Sequence, residues 1–396
     1  MKVALYYPWV YLTSGAERTI LELTGRSRHT WTVFTNRYEP ENTFPGFAQR
    51  HVVALAPVPV KRTFAAVARA GLRLLTQKLP LSEFDALVIV CEGLGSFVAF
   101  RAPRIPIINV CLTPLRIAYD PQYRQVYGGA RGLSARAAVA LACAVYRPLD
   151  RLAWRRYDQV FCISEEVRRR VVRGRLAPEE RLEVVHVGLG FMPTEPTCRA
   201  DRYFLLPGRM MWTKNIELGV RAFRSFLARS PAFSDFRLII AGIVDQKSRP
   251  YLARLRELAG GEPRVEFRIH PSDEELHELY ANCYATLFTA FNEDWGIVPI
   301  EGMAFCKPAI ACNRGGPRES IQPGVQGFLE EPDPERFAAR MAELASDPQL
   351  ARRMGLAGRE RAKLFTWDRL TERVDLRIEE LTSARGSAAA WESPVG

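Results

Sequence analysis

Tyr203-Phe204-Leu205-Leu206-Pro207-Gly208-Arg209-Met210-Met211-Trp212-Thr213-Lys214-Asn215 decides how this chain is read. Apolar, β-prone text runs to Pro207-Gly208, a turn signal, and an amphipathic pattern then fills 215–229. Strand, loop and helix in that order form the repeating unit of a parallel α/β sheet. The rhythm continues downstream, with strands predicted at 236–241, 264–268, 285–289 and 308–312. Helices are predicted at 248–259, 273–282, 299–305, 334–346, 348–363 and 368–382.

Upstream, Gly188–Asp201 carries Pro193 and Pro196 and little periodicity, which marks a linker. Before it the same alternation appears, with strands over Lys2–Tyr7, Trp31–Thr35, Phe84–Val90, Ile105–Val110, Gln159–Ile163 and Leu182–His186. Helices fit Ala16–Gly25, Lys61–Gln77, Ala135–Arg155 and Glu165–Val172, the last with Ser164 as N-cap. The expected fold class is therefore α/β: two Rossmann-like, doubly wound parallel-sheet domains facing each other across a cleft. The first takes residues 1–190, a linker 191–202, and the second 203–366. Residues 367–382 read as a helix crossing back to the first domain, and 383–396 as a disordered tail. Ligands of such folds sit beyond the carboxyl ends of the strands.

Composition narrows the class. A chain of 396 residues with 47% apolar content has material for two cores. Met1-Lys2 runs straight into Val3–Tyr7, so no secretory leader is expected. The longest apolar run, Ala137–Tyr146, is short of the roughly 20 residues that a membrane span needs. Eight cysteines, at 91, 111, 143, 162, 198, 283, 306 and 312, include no C-x-x-C pair, which suits a reducing, cytoplasmic setting. The five histidines (29, 51, 186, 270 and 277) form no ligand cluster, and no metal is expected.

The net charge of +11 and pI near 9.4 call for an anionic partner. That excess belongs to the first half: no acid lies between Glu41 and Glu83, and only Asp120 between Glu92 and Asp150. Nucleic acid is not the expected partner, because no recognised motif occurs and aromatics are not interleaved with the basic stretches. No G-x-G-x-x-G follows a predicted strand, which argues against a dinucleotide-dependent oxidoreductase.

Two segments carry chemistry. Phe291-Asn292-Glu293-Asp294-Trp295-Gly296-Ile297-Val298-Pro299-Ile300-Glu301-Gly302-Met303-Ala304 leaves a strand and enters a helix, with Pro299 suited to the first turn. Glu301 then falls in that turn and Glu293 in the preceding loop. Carboxylates accept from sugar and ribose hydroxyls, and two of them can grip both ends of a nucleotide-sugar. The alternative is that Glu301 complements the helix dipole and Glu293 is a solvated loop acid. In the opening stretch, Arg209 and Lys214 lie beside a helix N-terminus, where an anion sits; a fork and a point charge suit a diphosphate.

The first of these segments resembles the E-x7-E signature of glycosyltransferase family 4, retaining enzymes of the GT-B fold. The flanking text agrees: Lys307-Pro308-Ala309-Ile310-Ala311, Gly315-Gly316-Pro317-Arg318-Glu319-Ser320-Ile321 and Gly327-Phe328-Leu329. The resemblance implies that Glu293 contacts the donor sugar, that Glu301 contacts the nucleotide ribose, and that Arg209 and Lys214 bind the diphosphate. Asn292, Asp294, Trp295, Gly296, Ile297 and Val298 would line the donor site. Gly315 and Gly316 would lie close to the donor, where an absent Cβ permits approach. Ser14-Gly15-Ala16-Glu17-Arg18 resembles the family's G-G-A-E-R, with Ser14 replacing the first glycine. Gly15 is then a donor-side residue, and Arg18 falls on the acceptor side.

Cys111-Leu112-Thr113-Pro114-Leu115-Arg116-Ile117-Ala118-Tyr119-Asp120 resembles the C-H-T-P-x-R-Y-x-x-D of bacterial mannosyltransferases and their relatives, with Leu112 replacing the histidine. Arg116 and Asp120 are the implied acceptor-side residues. The resemblance as a whole implies a metal-independent, cofactor-free hexosyltransferase. It would take a GDP-mannose or UDP-sugar donor and a glycan or lipid-linked acceptor, in cell-surface polysaccharide or glycoconjugate synthesis. The resemblance implies same-face attack, the family's usual route, and no carboxylate stands out as a nucleophile. A non-catalytic partner protein and a nucleotide-sugar epimerase of the same fold remain as alternatives. Lys61, Arg62, Arg69, Arg73 and Lys78 punctuate Phe64, Val67, Leu72, Leu74 and Leu75, and Arg131, Arg136, Arg147, Arg151, Arg155 and Arg156 add a second basic stretch. These read either as solvated helix faces over a core or as a peripheral docking surface for the anionic inner face of a membrane.

Overall fold

The computed structural model describes residues 1–58, 64–90, 93–129, 132–196 and 198–391. All candidate site residues are among them; Lys61, Arg62, Cys91, Arg131 and the tail residues 392–396 lie outside the described residues. The chain divides into two compact units, Met1–Gly188 with Thr366–Gly396, and Leu189–Phe365.

The first unit is built on β1 (Lys2–Tyr6), β2 (Thr30–Thr35), β3 (His51–Ala54), β4 (Ala86–Ile89), β5 (Ile107–Cys111), β6 (Gln159–Cys162) and β7 (Leu182–Val184). They form a seven-stranded sheet in the order β3-β2-β1-β4-β5-β6-β7. Every pairing is parallel; β1, for example, aligns Val3 with Ala86 and Tyr6 with Ile89 of β4. Val3–Tyr6, Ala86–Ile89 and Ile107–Cys111 are buried throughout, as strands covered on both faces must be; the first two are unbroken apolar text, and the third has one polar residue, Asn109, which donates to Ile89 O at 3.1 Å. The edge strand β3 is not among the expected strands. Its four residues are partly or fully exposed, so neither apolar continuity nor clean alternation marks it.

Ser164 caps Glu165–Gly174, accepting from Val167 N at 3.0 Å, as its type and place imply. The long helix Leu133–Trp154 tolerates Pro148 inside it. Helix Trp367–Trp391 belongs to this first unit: its buried Asp375 accepts from Ser27 Oγ at 2.6 Å and Arg28 N at 3.1 Å. It extends through Ser383–Trp391, a stretch whose small polar composition reads as tail.

The second unit repeats the plan with β8 (Tyr203–Pro207), β9 (Arg237–Gly242), β10 (Val265–Ile269), β11 (Ala285–Phe288), β12 (Ala309–Cys312) and β13 (Gly327–Glu330). The six-stranded order is β10-β9-β8-β11-β12-β13, again parallel. Phe204, Phe223, Phe226, Phe233, Phe236 and Tyr284 pack the sheet against helix Ile216–Arg229. Each such fully buried ring contributes about 1.5–3 kcal/mol relative to an exposed one. In this sheet, as in the first, strand order reverses at one place, between β1 and β4 and between β8 and β11. The loops leaving such neighbours run to opposite faces and open a crevice at the carboxyl ends of the strands.

Candidate functional site

In the second unit that crevice is where the two candidate segments emerge. Lys214 comes from the loop after β8 and Glu293 from the loop after β11, and Lys214 Nζ donates to Glu293 Oε2 at 2.5 Å. The loops are also joined through their backbones: Phe291 N donates to Thr213 O at 3.1 Å, and Thr289 Oγ1 to Lys214 O at 2.8 Å. Residues 79 positions apart are thus one structural feature. Asn215, in the left-handed conformation at φ 49°, turns this loop into helix Ile216–Arg229. Arg209 is exposed on the same loop, and among the described residues its guanidinium has no ion-pair partner. It is available to an incoming anion.

Gly315 and Gly316 lie against the second loop. Gly315 bridges to Glu293, and Gly316 N donates to Glu293 O at 3.0 Å. A Cβ on Gly315 would come within 2.1 Å of Glu293 O, and one on Gly316 within 2.0 Å of Trp295 O. Gly315 also holds φ 68°. The glycines are accounted for by chain meeting chain: their missing side chains let the 293–295 loop settle where it is. Asn292 lies beside Gly315, Asp294 is half-buried, and Trp295 is buried edge-on to Phe365 at 5.1 Å.

The next helix starts earlier than its text implies. It spans Ile297–Ala304, with Gly296 at φ 79° as N-cap, so Pro299 is its third residue and Glu301 its fifth. No acid lies in the first turn, so Glu301 does not serve as a dipole partner there. Glu301 is half-buried and accepts from Tyr280 Oη at 2.5 Å. Ile297 is partly exposed and Val298 buried.

In the first unit, Gly15 opens helix Gly15–Arg26 with Ser14 as N-cap, which gives the replaced glycine a structural task. The Ser14 hydroxyl donates to Glu17, whose carboxyl is buried and held above its usual range by that burial. Gly15 has open space where a Cβ would sit, so no neighbouring atom of the protein requires a glycine there. Arg18 lies over the Phe44 ring at 4.3 Å and near Glu22.

Asp120 is 3% exposed and occupied. It accepts from Arg116 Nη2 at 2.9 Å and from Tyr123 N at 3.0 Å, and lies 3.5 Å from Arg170 Nη2. Burial alone would raise its carboxyl; the Tyr123 amide and the two guanidiniums outweigh burial and hold it below the ordinary value. Arg170, itself buried, also donates to Thr113 Oγ1 at 2.6 Å. Asp120 thus orients Arg116 and ties the Thr113 loop to helix Glu165–Gly174, with its own oxygens turned inward. Leu112 is buried as an ordinary core residue at the end of β5.

Sequence reasoning missed four ionisable groups that the fold places with care. Two are Arg170, against Asp120, and Tyr280, against Glu301. Lys307 is 1% exposed and bonds the Arg199 carbonyl of the linker, and burial pulls its ammonium below its ordinary value. Asp150 is 1% exposed, accepts from Ser96 Oγ at 2.8 Å and Trp154 Nε1 at 3.1 Å, and is pushed up to about 6 by burial. Three come from helices and Lys307 from the loop before β12, positions where only the tertiary partner gives them meaning.

The arrangement in the second unit, paired Lys214 and Glu293 beside exposed Arg209 with Glu301 on the next helix, suits a sugar diphosphate. Comparison with known proteins gives the family. A glycosyl transferase 4-like domain matches residues 14–188, and the glycosyl transferases group 1 family matches 197–361. The chain belongs to this glycosyltransferase family.

Among curated relatives of this glycosyltransferase, the alpha-1,3/1,6-mannosyltransferase of Homo sapiens is 36% identical over 177 residues, 42% of each chain. The D-inositol 3-phosphate glycosyltransferase of Streptomyces bingchenggensis is 28% identical over 231 residues, 54% of this chain and 50% of its own. The chain thus spans about half the length of the curated relatives it matches. Among solved structures, Anabaena HepE in complex with UDP and glucose superposes with a TM-score of 0.70 at 16% identity, covering 97% of this chain and 99% of that one. WaaG, a glycosyltransferase of lipopolysaccharide biosynthesis, gives 0.67 at 16% identity, covering 95% and 99%. These likenesses establish the GT-B fold for the family-4 glycosyltransferase. Among the described residues no helix is long and apolar enough to cross a membrane.

Proposed function

We propose that this protein is a retaining hexosyltransferase that takes GDP-mannose or a UDP-sugar as donor. The observation that carries the reading is the Lys214–Glu293 pair at the switch point of the second sheet, with Arg209 exposed on the same loop. In the reaction, the bond from the anomeric carbon to the β-phosphate oxygen breaks, and its electrons stay on the phosphate. Arg209 and Lys214 stabilise that charge, as preorganised cations do in a water-poor site. The acceptor hydroxyl bonds the anomeric carbon from the face the phosphate leaves, and its proton passes to the departing phosphate oxygen. Glu293 holds the sugar and Glu301 the ribose. Nothing in this scheme needs a covalent glycosyl-enzyme. Incubation with GDP-mannose or UDP-glucose, with and without EDTA, followed by proton NMR of the product anomer, tests it. Retention without a trapped glycosyl-enzyme is expected; inversion, or a glycosylated carboxylate, would contradict the scheme.

The acceptor we propose is a glycan or lipid-linked glycan at an anionic membrane surface. The names of the mannosyltransferase and inositol-phosphate relatives favour a hydroxylated glycan or polyol acceptor. Support for the surface comes from helices Phe64–Thr76 and Leu133–Trp154. On them Leu72 is 65%, Leu133 82% and Leu141 65% exposed, in the half of the chain where basic residues concentrate. Flotation with phosphatidylglycerol vesicles is expected to lift the protein at low salt and release it at high salt. Failure to float at low salt removes the membrane from the proposal and leaves the donor chemistry intact.

A further inference from the structure

Tyr280 lies in the last turn of helix Asp273–Asn282, is 2% exposed, and donates its hydroxyl to Glu301 Oε2 at 2.5 Å. Its ring is held as tightly as its oxygen. Phe305 stacks on it at 5.8 Å with 7° between the planes, and Phe305 lies in turn against His277 and Phe191. Burial, and after it the charge and hydrogen bond of Glu301, push the phenol well above its ordinary value. The group therefore stays protonated, and a donor, across the working pH range.

Packing alone does not ask for a hydroxyl here. A phenylalanine would fill the same stack and leave no polar atom to satisfy, so the oxygen matters through Glu301. A glutamate on a helix surface samples several rotamers and must give up that freedom when a ligand binds; one already fixed by a buried donor does not. A carboxylate has about four acceptor sites, of which a phenol uses one. A carboxylate held in this way presents an acceptor in a fixed direction.

We propose that Tyr280 is a positioning residue: it orients the Glu301 carboxylate toward the 2′- and 3′-hydroxyls of the donor ribose and so sets the preference for ribonucleotides. This inference rests on the reading of Glu301 as the ribose acceptor. Tyr280 touches no substrate; it acts through Glu301. Because the ribose is remote from the bond that breaks, the contribution is to donor binding and not to the chemical step.

The test is isothermal titration of UDP and GDP against their 2′,3′-dideoxy analogues, with the full chain, Tyr280→Phe and Glu301→Ala. The wild type is expected to prefer whichever ribonucleotide it binds over its dideoxy form. Tyr280→Phe is expected to weaken the ribonucleotide by about tenfold, leave the dideoxy form nearly unchanged, and raise donor KM with kcat unaltered. A variant that keeps the wild-type preference, or weakens both nucleotides equally, overturns the positioning role. Equal binding of the two forms by wild type and by Glu301→Ala is a different failure, since it removes the ribose grip itself. Should Tyr280→Phe not fold, 3-fluorotyrosine at 280, which keeps the shape and strengthens the donor, is expected to change the ratio. An unchanged ratio there also overturns the proposal.

Discussion

Lys214 and Glu293 meet across the switch point of the second sheet in a 2.5 Å charge-assisted hydrogen bond, with 22% and 23% of the two side chains exposed. One group is the proposed diphosphate cation and the other the proposed sugar acceptor. In the unliganded protein each neutralises its partner and holds it in place. In the proposed donor complex, a sugar diphosphate would supply Lys214 with a stronger anion and leave Glu293 to accept from sugar hydroxyls.

Lys214→Ala is expected to lower kcat/KM by about 10²–10³, the usual cost of removing one donor to developing charge. Glu293→Gln should lower it too. The double variant should lose less than the product of the two, because residues sharing one bond are not independent. Steady-state kinetics of the four proteins checks this, and strict multiplicativity would mean that the pair has no joint role.

Three glycines proposed to bind donor, one in the first unit and two in the second, separate by what surrounds them. Gly315→Ala and Gly316→Ala drive a methyl into the backbone of Glu293 or Trp295, so both are expected to lower Tm and disable the site. Gly15→Ala meets open space, at the first position of a helix. Its stability should stay within about 0.5 kcal/mol of wild type while transfer falls, since the added methyl meets only ligand. A Gly15→Ala enzyme with full activity would remove Gly15 from the donor site.

Asp120→Asn should destabilise the first unit by about 1.5–3 kcal/mol, because it removes one of the two buried carboxylates, Asp120 and Glu166, that lie 3.5 Å from buried Arg170. The native carboxyl sits below its ordinary value, so this contribution is present above the unfolded pKa and lost as pH falls through the lower native one. Urea unfolding at neutral pH measures the loss; a change under 1 kcal/mol, roughly the worth of an exposed pair, would contradict the buried-hub description.

Asp150 has the opposite sign. Its native carboxyl titrates near 6 against an ordinary 3.8, so the native state binds the proton more tightly than the unfolded chain. Stability is therefore highest below the unfolded pKa and declines as pH rises from there to about 6, by about 3 kcal/mol in all. Asp150→Asn keeps an acceptor for Ser96 and Trp154 and has no proton to lose. Its stability should gain on wild type as pH rises from about 3.8 to about 6, with the two curves parallel above that; curves parallel throughout would contradict the assignment.

How much the sequence shows in advance depends on which signals are local. Buried parallel strands such as Ala86–Ile89 announce themselves because both faces are covered and the text is continuously apolar. The edge strand His51–Ala54 does not, since its partly exposed faces give mixed text. Ser164 is legible as a cap because capping is a matter of adjacent residues. The start of the helix at Ile297 is not, because the left-handed turn at Gly296, and not Pro299, sets it. Within the proposed site, Glu293, Glu301, Arg209 and Lys214 stand out because their segments resemble those of glycosyltransferase family 4. Tyr280 carries no such mark; its role exists only where helix Asp273–Asn282 meets helix Ile297–Ala304.

The central claim is a nucleotide-sugar donor site built from Arg209, Lys214, Glu293 and Glu301, and a thermal-shift panel tests it most directly. UDP, GDP, ADP, dTDP and the matching nucleotide-sugars are added to the full chain in EDTA. A ligand at about 100 times its Kd stabilises the native state by about 2.7 kcal/mol, a clear rise in Tm. The expected result is such a rise for one nucleotide, abolished in both Lys214→Ala and Glu301→Ala. A well-folded protein that shifts with none of them, or whose shift survives both substitutions, would contradict it.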